Sequence, residues 1–183
     1  FQEIDVARLL ASTAKWTAVV RSVERLPELL VRAWHTACAG RPGPVVLGLP
    51  EDVLAAASNV ALLPRPDIAR PAPDAATMAQ VTRLIAGAER PMVIAGGPGW
   101  SAAAARDLAA FDNRHACYVG HLGLAIDPTL AAGVRNADVV IAIATRLDEV
   151  TSGGYGLLTP TQRLVHAHPS ADESGRAVPA ELA

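Results

Sequence analysis

The sequence predicts an α/β protein, with a Rossmann-like, doubly wound parallel sheet in its second part and the C-terminal part of another α/β domain in front of it. Three observations carry this. Short apolar runs such as VVLGL, MVIA and VVIAIA show no polar alternation, which suits strands covered by helices on both faces. These runs alternate with stretches whose apolar residues recur at helical spacing, the pattern of repeated βα units. A proline-rich stretch then divides the chain, and extended backbone there separates two packed bodies.

Taken in order, Leu26, Leu29, Leu30, Ala33, Trp34 and Ala37 make one apolar helix face, with Pro27 suited to the first turn. Gly40 follows as a C′ residue in left-handed geometry, and Pro42 and Pro44 forbid continuation. Val45–Leu49 reads as a buried strand. From Ala55 to Pro73, four prolines (Pro64, Pro66, Pro71 and Pro73) and little periodicity predict an extended linker. Residues 1–54 therefore read as the end of one domain. About fifty residues are close to the lower limit for a self-sufficient core, so the chain reads as a fragment entering its first domain partway.

Residues 74–183 read as the second domain. Asp74 caps a helix with Met78, Val81, Leu84, Ile85 and Ala88 on its apolar face. Met92–Ala95 is a short strand, Gly96–Trp100 a turn, and Ser101 caps an alanine-rich helix reaching about Phe111. A strand is expected next, before the turn at Asp112–His115, and none is written in the sequence. Either this sheet is one strand short or a segment is missing between Phe111 and Asp112. Pro128–Val134 is then helical, and Ala137–Thr145 and Gln162–Pro169 are strands. Ligands of such sheets sit beyond the carboxyl ends of the strands.

Composition narrows the function classes. A net charge of −2 with 19% charged residues provides no basic field for nucleic acid or an anionic membrane surface. No apolar run is long enough to span a bilayer. Two cysteines, Cys38 and Cys117, fit reduced thiols in a cytoplasmic protein better than a disulfide framework.

Together, the stretches FQEIDVARLLASTAKW, GRPGPVVLGLPEDVL, RPMVIAGGPGWS, GHLGLA and ADVVIAIATRLDEVTSGGY resemble the thiamine-diphosphate-dependent enzymes of the acetolactate synthase type, over nearly the whole chain. The resemblance implies that residues 1–54 close the pyrimidine-binding domain. Residues from 74 onward would form the central domain, which in some members binds FAD or ADP and in others nothing. It implies an enzyme that uses thiamine diphosphate and Mg2+ to break or make a carbon–carbon bond in a small 2-oxo acid or related carbonyl compound, as a homodimer or homotetramer. It also places two anchors outside this chain: the glutamate that meets the aminopyrimidine ring, upstream of Phe1, and the diphosphate-binding domain, downstream of Ala183. The fragment alone is then expected to be inactive. Where acetolactate synthases carry an Arg-Phe-Asp-Asp-Arg pattern this chain has RLDEV, with Val150 at the second arginine, so the acetolactate product does not follow.

The same resemblance assigns site residues. Gln2 and Lys15 are the catalytic candidates, Lys15 beside the substrate entrance, and Phe1 lines the substrate side. The chemistry is apt, since an amide hydrogen-bonds a charged intermediate and an ammonium attracts a carboxylate; the alternative is a chain terminus and a solvated lysine. Gly97, Gly99 and Ala102 form a relaxed dinucleotide fingerprint between strand and helix, where backbone amides meet a pyrophosphate. Yet Pro98 removes one amide, and any such turn favours glycine. Arg146 and Asp148 match residues that can meet FAD or ADP, and read equally well as a loop ion pair. His166 and His168 share a strand face, but no third ligand accompanies them, and a polar stripe on an edge strand explains them without a metal. His115, Cys117 and His121 are no stronger. A non-catalytic FAD- or ADP-binding module remains the alternative function. A nicotinamide-dependent oxidoreductase is disfavoured, because no acidic residue ends a second strand to hold the ribose.

Overall fold

The computed structural model describes residues 4–69, 71–97, 100–108, 113–114 and 116–183. The chain forms two compact units, Phe1–Pro71 and Ala72–Ala183. Residues 56–69 and 71–74 adopt neither helix nor strand.

In the first unit, helix α1 (Val6–Leu10) is capped by Asp5, whose carboxylate accepts from the Arg8 amide at 2.9 Å. Strand β1 (Trp16–Val19), helix α2 (Leu26–Cys38), strand β2 (Val45–Gly48) and helix α3 (Glu51–Ala55) follow. β1 and β2 pair in parallel, with Trp16 opposite Val45. A parallel pair requires a crossover, and α2 supplies it. Val20, Leu29 and Val53 form the core, with Trp16, Val23, Leu26 and Leu47 packed around them. Gly40 ends α2 at φ +58, the left-handed geometry expected of it. The helix face is narrower than its sequence spacing implies. Leu29 is buried, but Leu30 and Trp34 are exposed, with the Arg65 guanidinium 5.3 Å over the Trp34 ring.

The second unit contains helix α4 (Ala75–Gly87), strand β3 (Pro91–Ala95), helix α5 (Ala102–Leu108), helix α6 (Pro128–Asn136), strand β4 (Val139–Ile143) and strand β5 (Arg163–Ala167). Its parallel sheet has the order β3-β4-β5, with β4 central and almost wholly buried. Because side chains alternate across a strand, Val139 and Ile141 meet Leu84 of α4 on one face, while Val140 and Ala142 join Ile94 and Leu164 on the other. On that second side Leu130, Ala131 and Val134 of α6 form a further cluster with Leu157, and Met92 packs against both clusters. Helices thus cover both faces of β4, which is why that strand is continuously apolar.

The caps fall where short polar side chains precede the helices. Asp74 accepts from the Thr77 amide at 2.7 Å, Ser101 from Ala104 at 3.0 Å, and Asp127 from Thr129 at 2.8 Å and Leu130 at 3.2 Å, with Pro128 in the first turn of α6. Two side chains lock the amino edge of the sheet. The Asp138 carboxylate accepts from the amides of Glu89 (2.7 Å), Arg90 (3.0 Å) and Val139 (2.9 Å). Gln162 donates through Nε2 to Val134 O (2.6 Å) and Ala137 O (2.9 Å), satisfying carbonyls at the end of α6. No strand follows α5 before α6 among the described residues, in line with the sequence.

Candidate functional site

The carboxyl edge of the second sheet is where the sequence places a ligand, and there β3 and β4 end side by side. The Gly96 amide donates to Ile143 O at 3.0 Å, and Gly97 turns the chain at φ +64. A Cβ on Gly97 would lie 1.8 Å from Ala144 O, and one on Gly96 would lie 3.3 Å from the Thr145 Cβ. Glycine is therefore required here by the neighbouring strand end. The Trp100 indole N–H donates to Gly96 O at 3.0 Å, closing the turn into α5.

Within four residues of its end, β4 is followed by two non-glycine residues in left-handed geometry, Ala144 at φ 58 and Leu147 at φ 49. Each costs about 1–3 kcal/mol and persists only where its surroundings impose it. Here burial of Leu147 supplies one constraint, and His166 supplies another. The His166 ring is 1% exposed. Its Nδ1 accepts from the Gly175 amide at 3.1 Å, so the ring hydrogen sits on Nε2, which donates to Thr145 O at 2.8 Å. The polar-stripe reading of this histidine is thereby corrected. His166 shares the apolar face of Leu164 and stays buried because both ring nitrogens have main-chain partners. His168 Nδ1 accepts from the Ser170 amide at 3.1 Å. Among the described residues no group of three His, Cys, Asp or Glu side chains is arranged to hold a metal ion. His121 and Cys117 are exposed, and His115 lies outside the described residues.

Arg146 and Asp148 stand on this pinned loop. Arg146 Nη2 lies 3.5 Å from Asp148 Oδ2, with both side chains about half exposed. Asp148 is committed locally: its carboxylate accepts from the Thr151 amide at 2.9 Å, and its carbonyl accepts from the Ser152 amide and hydroxyl. The Thr151 amide, more than the Arg146 charge, holds the Asp148 carboxyl below the usual carboxylate range. Arg146 is thus the more available of the two for an anionic ligand, since Asp148 is already used to cap its own turn.

The remaining candidates belong to the first unit or lie outside the described residues. Phe1, Gln2 and Gly99 are in the second group. Lys15 precedes β1, at the amino edge of the β1–β2 pair, where its main-chain amide donates to Pro44 O at 2.7 Å. Its ammonium donates to Ala39 O at 2.6 Å and Arg41 O at 3.0 Å, the carbonyls that leave the end of α2. Lys15 is therefore engaged in closing a helix terminus, as a cation there is suited to do.

His166 is the residue that sequence reasoning misplaced, and its signal was present: a single histidine within RLVHA shares a face with Leu164 in a strand otherwise built for a core. The short elements α1, β1 and α3 had no comparable signal, since four or five residues are too few to show a period.

A family model described as "Thiamine pyrophosphate enzyme, central domain" matches residues 78–183. The acetolactate synthase of Mycobacterium bovis is 27% identical over 198 residues, covering 96% of this chain and 32% of that protein. The acetolactate synthase isozyme 2 large subunit of Escherichia coli is 27% identical, covering 91% of this chain and 34% of its own. The probable acetolactate synthase large subunit of Methanocaldococcus jannaschii is 27% identical over 207 residues, covering 100% of this chain and 35% of its own. The chain thus spans about a third of the length of the curated relatives it matches. The last match runs over some two dozen more residues than the 183 of this chain.

Proposed function

Starting from the fact that the chain belongs to the thiamine pyrophosphate enzyme family, whose central-domain model it matches over residues 78–183, we propose that it is part of an acetolactate synthase-like enzyme. The whole protein acts on 2-oxo acids or related carbonyl compounds by cleaving or forming a carbon–carbon bond, as a cytoplasmic homodimer or homotetramer. The observation that carries this reading is the coverage: similarity to acetolactate synthases extends over 91–100% of the chain, beyond the central domain alone. Thiamine diphosphate supplies the carbanion chemistry when bound. The described residues do not fit that cofactor by themselves, because no acidic cluster is arranged to take the magnesium of its diphosphate. No step is therefore assigned to them beyond positioning.

Phe1 and Gln2 are proposed to lie toward the substrate, on the strength of the FQE motif alone. For Lys15 the geometry favours a positioning role, closing the end of α2. Val150, exposed on the loop after Asp148, stands where an acetolactate synthase would have a substrate-contacting arginine, so the product is left at the level of the reaction class.

One observation favours a second ligand. Arg146, half exposed and held by a long 3.5 Å ion pair, stands three residues after the carboxyl end of β4, at the edge of the sheet where ligands of such folds bind. FAD or ADP is the ligand proposed for that edge, its phosphate taking the guanidinium from Asp148. Gly97 does not add to this, since the Ala144 carbonyl already accounts for it. Release of CO2 from a panel of 2-oxo acids by the protein at the length of its relatives, with and without thiamine diphosphate, tests the main reading. Cofactor-independent release, or none with any substrate, opposes it.

A further inference from the structure

The proline-rich stretch from Ala55 to Pro73 reads as a free tether, yet the first compact unit extends to Pro71 and takes in nearly all of it. Three observations place this stretch on the first unit. Ala57, Ser58, Asn59 and Val60 line one cavity with Glu24, which stands just before α2. The Arg65 guanidinium lies 5.3 Å over the ring of Trp34, in the third turn of α2. Pro66 and Ile68 are partly buried, although neither belongs to a helix or strand.

The lengths agree with a segment laid along the helix. From Glu24 to Trp34 a helix axis advances about 15 Å, and the chain from Asn59 to Arg65 spans at most about 22 Å when extended. The segment can therefore run beside α2, nearly extended and in the same direction. The flank of α2 that carries Trp34 also carries Leu30 one turn earlier, and both are apolar residues that the core leaves exposed. Pro64 and Pro66 stand on either side of Arg65 and fix φ there, so the arginine meets the ring from a backbone with little freedom to lose. Tryptophan offers a cation the best of the aromatic faces, and the planar guanidinium suits it.

We propose that residues 56–69 are a strap of the first unit, latched to α2 by Arg65 on Trp34, and that the joint between the units falls at Ala72 and Pro73, ahead of the Asp74 cap of α4. The latch sets the length of the tether. Left free, the stretch from Ala56 to Pro73 extends to about 60 Å, whereas two residues extend to about 7 Å. Loss of one exposed cation–ring contact thus lengthens the connection without touching either core.

Nuclear magnetic relaxation on the 183-residue chain gives the test. In the wild type, the amides of Leu62, Leu63, Asp67 and Ile68 should have order parameters of about 0.85, as rigid backbone does, and share the tumbling of the first unit. In Arg65→Gln they should fall below about 0.6, and the two units should tumble more independently. The Trp34 indole signal should shift, while those of Trp16 and Trp100 and the amides of Val20 and Leu29 stay as they are. Trp34→Leu should release the same amides, and because Trp34 is 44% exposed the unit should remain folded. Order parameters below about 0.6 across these residues in the wild type overturn the proposal. So do amides that stay ordered in both variants, or amides that are released with no change in how the units tumble.

Discussion

The carbonyl oxygen of Ala144 fills the space in which a side chain on Gly97 would begin, 1.8 Å from the position of its Cβ. Both residues are in left-handed geometry, so two strand ends turn away from the sheet in mutual contact. Gly97→Ala is expected to destabilise the second unit by about 2 kcal/mol or more, through positive φ and backbone displacement together. A thermal melt checks this. The same contact makes Gly97 unsuitable for probing a phosphate site, since any substitution there disturbs the fold first. Arg146→Ala is the cleaner probe, with unchanged melting and weaker binding of ADP.

His166 fixes the loop that bears Arg146 by donating to Thr145 O while accepting from Gly175. His166→Phe keeps the ring volume and leaves a buried carbonyl and an amide without their partner, at a cost of about 2–4 kcal/mol. Chemical denaturation of the variant measures it. A loss below about 0.5 kcal/mol would mean that other groups hold this loop.

Asp138 gives a pH dependence with a defined sign. The Glu89 amide first, then those of Arg90 and Val139, hold its carboxyl below the ordinary carboxylate range. A depressed folded-state pKa contributes stability that is present above the unfolded value and is lost as pH falls through the folded one. The melting temperature of the wild type should therefore drop in acid more steeply than that of Asp138→Asn. The two should converge at low pH. Parallel curves down to strong acid would exclude the contribution.

Lys15 separates a structural from a substrate role. Lys15→Met removes both ammonium bonds to the end of α2 and should cost about 0.5–1.5 kcal/mol in the first unit. In the whole enzyme, turnover should then fall only as stability falls, with KM for the 2-oxo acid unchanged. A raised KM with unchanged melting would put the ammonium at the substrate.

The second unit was the more legible in the sequence because its signals are redundant. β4 was expected over Ala137–Thr145 and forms over Val139–Ile143, since an apolar run cannot mark where pairing stops. Asp74 and Ser101 mark helix starts by chemistry that acts over three residues, so they could be read without tertiary information. The first unit was harder. β1 exists because it pairs with β2 across a crossover, and α1 is tied to it by Thr17 Oγ1 donating to Ala7 O at 3.0 Å. Neither relation is local. The site shows the same division: that a turn would follow β3 was legible, but that the Ala144 carbonyl would demand its glycine was not. The engagement of Lys15 depends on carbonyls 24 and 26 residues away, beyond any motif.

Under the proposed function, thiamine diphosphate is anchored by groups other than the described residues, which hold no acidic cluster for its magnesium. Calorimetric titration with magnesium and thiamine diphosphate tests it most directly, run in parallel on the 183-residue chain and on the protein at the length of its relatives. The expected result is saturable binding by the longer protein and none by the 183-residue chain. Binding of comparable strength by the 183-residue chain would contradict the assignment of the anchors, and absence of binding by the longer protein would contradict the proposed function.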